Sequence, residues 1–143
     1  MPRKNLTSIS TARKAASTRK PRISRKIVEA EPSSLWQIVV RAAGEKKASD
    51  IRVLDLRPVT SFADYFIICS GTNQRQIQAI ADEVERTLKL AGEHVNSIEG
   101  YSNAEWVLMD YGDVVVHIFS DKARGYYDLE RLWRHAPDVP VSG

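Results

Sequence analysis

Apolar positions along this chain change character after residue 31. Before it, Leu6, Ile9, Ile23 and Ile27 are too scattered to bury much surface, and a disordered extension is expected over residues 1–31. After Pro32, Leu35, Ile38, Val39 and Ala42 recur at helical spacing behind Ser33 or Ser34, either of which can cap, so a helix is predicted to about Lys47. Residues 51–56 alternate and predict a strand. A connection containing Pro58 follows, and Tyr65 to Cys69 is an apolar run short enough for a strand buried on both faces. Ser70-Gly71-Thr72 breaks it. A long helix is predicted from about Asn73 to Ala91, with Ile77, Ile80, Ala81, Val84 and Leu88 on one stripe and Gly92 as its stop. A weak strand is expected around His94–Ile98, then two stronger ones, Glu105–Asp110 and Asp113–Ser120. In the helical end Leu129, Leu132 and Trp133 share a face, with Leu129 and Leu132 assigned to the core. The order α-β-β-α-β-β-β-α predicts an α/β domain over 32–137, a mixed sheet of about five strands with flanking helices, and a short tail over 138–143.

The two stronger strands are the most informative segment. A tight turn centred on Tyr111-Gly112 sets Trp106 opposite His117 and Leu108 opposite Val115. One face then receives Val107, Met109, Val114, Val116 and Ile118, a wholly apolar set that must point to a core. The other receives Trp106, Leu108, Asp110, Asp113, Val115, His117 and Phe119. Aromatic anchors ringed by polar groups suit a half-exposed binding face. The competing possibility is that a helix covers this face and His117 is a core histidine.

Charge divides the chain in two. Residues 1–31 hold nine basic and two acidic side chains, a net +7; the remainder is net −4. The folded part is therefore expected to prefer a basic partner. The basic stretch fits a weak contact with RNA phosphates or an organelle presequence. No apolar run is long enough to span a membrane, and the single cysteine, Cys69, excludes an internal disulfide.

Several stretches resemble the ribosomal silencing factor family, also called Iojap or RsfS. They are Asp64 through Thr72, Arg75-Gln76, Ala79 through Asp82, Glu99-Gly100-Tyr101, Trp106 through Phe119, and Tyr126 through Trp133. The resemblance implies a domain similar to a nucleotidyltransferase core. It implies binding to the large ribosomal subunit through its ribosomal protein fourteen, which obstructs joining with the small subunit and represses translation. Organelle relatives act in large-subunit assembly. A cytoplasmic, bacterial setting is expected, or a mitochondrion or chloroplast if the basic stretch is a transit peptide. A homodimer is conceivable in the unbound state. The expected partner contacts are Trp106, Leu108, Asp110, Asp113, His117 and Phe119 on the hairpin, with Tyr127, Asp128 and Glu130 beside it.

Enzymatic readings find less support in the residues. Ser70-Gly71-Thr72 opens a helix whose free N–H groups could hold an anion, but no Asp-x-Asp follows to bind metal ions. Asp110 and Asp113 flank a turn, where Asp is common for backbone reasons. His94, His117 and His135 lie far apart and lack cysteine partners at zinc spacing. No catalytic residue, metal or cofactor is expected.

Overall fold

The computed structural model describes residues 34–141. The extension over 1–31, with its presequence and RNA-binding readings, lies outside the described residues. Helix α1 (Leu35–Glu45) starts where Ser34 donates its backbone N–H to Gln37 Oε1 at 2.9 Å. It buries Val39, Ala42 and Ala43. Strands β1 (Ser49–Asp55) and β2 (Tyr65–Gly71) follow, then helix α2 (Gln74–Leu90). Asn73 caps α2 by accepting from the Gln76 N–H at 2.8 Å. Its end is a left-handed cap: Gly92 has φ +90°, and the Glu93 N–H returns to the Leu88 carbonyl at 2.8 Å. Strands β3 (Ser97–Glu99), β4 (Trp106–Asp110) and β5 (Val114–Ser120) come next. Helices α3 (Asp121–Tyr127) and α4 (Leu129–Leu132) and a two-residue strand β6 (Asp138–Val139) complete the described chain.

The six strands lie in the order β3-β4-β5-β2-β1-β6. Among the described residues the central β2–β5 pair alone is parallel, and the other pairs are antiparallel. Both central strands are apolar on both faces, so both faces must be covered. On one side α1 and the stripe of α2 pack over Val53, Ile67, Cys69, Val107, Met109, Val114, Val116 and Ile118. This is the wholly apolar face expected of the hairpin. On the other side α3, α4 and the connection around Ala63 cover Leu54, Phe66, Ile68, Leu108, Val115 and Phe119.

Four expectations are corrected. The turn is centred on Gly112-Asp113, with Gly112 at φ +90° in the first central position and the Tyr111 N–H reaching the Val114 carbonyl at 2.9 Å. That is the place a two-residue hairpin turn of this hand gives glycine. Trp106 therefore pairs with Phe119 and Leu108 with His117. The offset is two residues, so every side chain keeps its predicted face. The expected tail over 138–143 contributes a strand, because Asp138 and Val139 pair with Leu54 and Val53 of β1. Leu132, assigned to the core, is 62% exposed. A short helix, α3, was not expected: it has no apolar stripe, and its one clear signal is the Ser120 hydroxyl, which caps the Ala123 N–H at 3.0 Å.

Glycines at two positions separate backbone strain from open space. Gly100 has φ +80°, and a Cβ there would run into the Trp106 carbonyl oxygen. Gly44 sits within α1 with nothing near its Cβ position. Gly100→Ala should cost roughly 2–3 kcal/mol, and Gly44→Ala should add about 0.5–1 kcal/mol. Urea unfolding of the two variants checks both signs.

Candidate functional site

The hairpin's mixed face is sealed in its middle. Leu108, Val115, His117 and Phe119 are at most 1% exposed, so the expectation that Leu108, His117 and Phe119 form part of a half-exposed surface is corrected. Ala123 of α3 and Leu129 of α4 lie over them, and Phe66 of the neighbouring strand β2 fills the gap between. Asp110 is 2% exposed, and its Oδ1 accepts from the Gly112 N–H at 2.8 Å. It supports the turn, while Asp113 is half-buried on the hairpin. The turn also lies at the far end of β4 from Trp106, roughly 13 Å away at the rise of an extended strand. The nine expected contacts therefore do not form one surface.

Ionic contacts explain how two short helices are held over that face. Arg124 grips Glu130 with Nε at 3.2 Å and Nη2 at 2.8 Å, and donates through Nη1 to the Asp50 carbonyl and to Ser70 Oγ, each at 2.8 Å. Arg52 of β1 adds a second ion pair to Glu130 at 3.0 Å and one to Asp138 at 2.7 Å. The Arg124 hydrogen bonds, foremost among the nearby charges, hold the Glu130 carboxyl below the usual carboxylate range. Glu130, expected as a partner contact, is thus engaged inside the fold. Removing one member of so enclosed a pair is costly because it strands the other charge.

Trp106, His117, Phe119 and Tyr127 do come together. The half-buried Trp106 ring packs against Phe119 at 5.0 Å and Tyr127 at 4.7 Å, and Tyr127 meets Tyr126 edge-on at 5.0 Å. Tyr126 is 80% exposed and Tyr127 42%. The result is an aromatic shelf that begins in the core and ends in solvent. Tyr126, its outermost ring, was not among the expected contacts; α3 carries no apolar stripe from which its outward direction could be read. Exposed acids adjoin the shelf in sequence: Glu105, whose Oε1 accepts from Ser120 Oγ at 2.7 Å, Asp121, and Asp128 in a left-handed conformation between α3 and α4.

Trp106 donates its indole N–H to His117 Nδ1 at 3.1 Å. The imidazole is fully buried, edge-on to Phe66 at 4.5 Å, and its Nε2 finds no partner among the described residues. Leaving that nitrogen unpaired costs on the order of 1–3 kcal/mol.

The helix start after Ser70-Gly71-Thr72 is filled by the chain itself. Gln76 Oε1 accepts from the Thr72 N–H at 2.6 Å and its hydroxyl at 3.0 Å, and Ser70 Oγ is held by Arg124. Among the described residues no three His, Cys, Asp or Glu side chains gather as metal ligands, and no helix is long and apolar enough to cross a membrane. Burial pushes the Cys69 thiol up to about 12, which keeps it protonated and unreactive.

Burial also pushes His117 down to about 3 from an ordinary 6.5. Below pH 6.5 the unfolded chain takes up a proton that the folded chain refuses, so this contribution to stability is complete above 6.5 and declines as the pH falls towards 3. Stability should drop by roughly 1–2 kcal/mol between pH 6.5 and 5 on this account. In His117→Phe that slope should flatten, as followed by denaturant unfolding across the same range.

With this geometry in view, the relatives of the chain are informative. Residues 29–143 match the family described as ribosomal silencing factor during starvation. The ribosomal silencing factor RsfS of Halalkalibacterium halodurans is 43% identical over 109 residues, which are 76% of this chain and 93% of that protein. The RsfS of Bacillus subtilis is 45% identical over 104 residues, 73% of this chain and 88% of that one. A crystal structure from Bacillus halodurans superposes with a TM-score of 0.67 at 42% identity, covering 74% of this chain and 96% of the other. The match thus runs through the covered sheet, the hairpin and the shelf together, and the chain belongs to the ribosomal silencing factor family.

Proposed function

We propose that this protein represses translation by docking on the large ribosomal subunit, through its ribosomal protein fourteen, and obstructing the small subunit. The observation that carries the reading is the shelf of Trp106, Tyr127 and Tyr126. It is a run of rings left partly in water at the edge of a layer whose central side chains, Leu54, Phe66, Ile68, Leu108, Val115 and Phe119, are buried. Large aromatics of this kind act as anchors at protein interfaces, since they bring much apolar area at little entropic cost. Acids beside them at Glu105, Asp121 and Asp128 suit a basic protein surface by speeding encounter and setting orientation. Family membership supplies the ribosome as the place to look.

Of the nine expected contacts, Trp106, Tyr127 and Asp128 belong to this surface, with Asp113 away on the hairpin. Leu108, His117, Phe119 and Glu130 lie behind it, and Asp110 supports the hairpin turn. The mechanism is steric. A compact domain of this length is roughly 25–30 Å across, enough to separate two surfaces that must touch, so occupancy sets the degree of repression and no bond is made or broken.

Trp106→Ala and Tyr126→Ala should each weaken co-sedimentation with isolated large subunits by roughly tenfold or more, while the circular-dichroism spectrum stays unchanged. Wild-type affinity in both folded variants would remove the shelf from consideration. Deleting residues 1–31 should leave most of the affinity at physiological salt and lower its salt dependence, because phosphate contacts carry that dependence. Loss of nearly all binding on deletion would instead point to an RNA-binding module.

A further inference from the structure

His117 is expected from the sequence to touch a partner, yet it lies wholly inside the protein. It sits on β5 between Val115 and Phe119, on the face whose apolar cluster includes Leu54, Phe66, Ile68, Leu108 and Leu129. An apolar residue would fill that place without burying an unpartnered nitrogen. The imidazole brings Nε2, which has no partner among the described residues, and Nδ1, which receives the Trp106 indole N–H at 3.1 Å. What is gained must lie on Nδ1.

That hydrogen bond is directional, whereas the ring contacts of Trp106 with Phe119 and Tyr127 tolerate a turned indole. Trp133, in the same layer, shows the contrast. It packs on Phe62 at 5.7 Å and Phe66 at 5.4 Å with its indole N–H unpartnered, so packing alone holds it. The geometry points to His117 as a positioning residue that selects one orientation of the Trp106 indole and so presents the shelf to its partner ready-formed. This rests on the docking reading above. A partner then meets an anchor whose freedom has already been lost on folding, which is how preorganisation strengthens binding. Neutral imidazole is required, since a protonated ring has no acceptor at Nδ1; burial keeps it neutral throughout the physiological range.

The test uses the full chain and isolated large subunits as the probe. His117→Phe fills the space without an acceptor, and His117→Asn restores an acceptor at the δ position. Trp106→Phe keeps a ring but removes the donor. His117→Phe is expected to weaken binding roughly tenfold, His117→Asn to bind close to wild type, and His117→Phe to add nothing in the Trp106→Phe background. The Trp106 indole proton, assigned by its loss in Trp106→Phe, should shift in the nuclear magnetic resonance spectrum of His117→Phe and return in His117→Asn. A folded His117→Phe with wild-type affinity overturns the inference, as does an equal loss in the Trp106→Phe background. Should both His117 variants unfold, the wild-type indole proton decides: slow exchange with solvent supports the bond, and exchange as fast as that of a free indole overturns it. Tyr126→Ala and Trp106→Ala binding normally would instead overturn the docking reading, whatever the indole resonance shows.

Discussion

Parallel pairing of β2 with β5 at the centre of the sheet is the constraint on which the rest of the fold depends. Both strands are buried on both sides, so neither face of the sheet can be left to water. The long amphipathic helix α2 and the helix α1 meet that demand on one side with ordinary apolar stripes. On the other side the chain has two helices of seven and four residues, too short to be stable on their own. Their position comes from Ala123 and Leu129 packing down and from Arg124 reaching through Glu130, Ser70 and the Asp50 carbonyl to the sheet. Charged groups so enclosed contribute more to fixing an arrangement than to net stability.

This second, thinner layer also determines which rings are left open to solvent. Because α3 ends at Tyr127, the rings at the edge of the sheet are covered progressively less, from Phe119 through Trp106 to Tyr126. The buried members are not idle. Phe119 is the floor on which the indole rests, and His117 supplies its hydrogen bond. Side chains that never meet solvent thereby shape those that do. Other polar groups likewise serve the fold: Asp110 supports the turn and Glu130 the helices, while Cys69 is kept unreactive on the opposite face, beneath α1 and α2.

Strand and helix assignments were legible in the sequence wherever a local period ran long enough. Such were the stripe of α2, the two-sided apolar run of β2, and the alternation of Val114, Val116 and Ile118. The face assignment survived a two-residue error in hairpin register because side chains repeat every second position. Helix α3 was hidden because seven residues carrying one glycine and three charged side chains show no stripe.

By itself, then, the sequence determined the elements other than α3 and β6, the hairpin's face assignment and membership of a family, all of which depend on neighbours within a few positions or on ordered motifs. Tertiary structure alone decided which candidate contacts meet solvent. Exposure of residue 117 depends on Phe66, Ala123 and Leu129, and on a salt bridge network joining residues 52, 124, 130 and 138. No periodicity along the chain records such an encounter, since it exists only once distant segments have packed. The mixed face read as a contact surface is for this reason a support, and the rings that meet solvent lie at its rim.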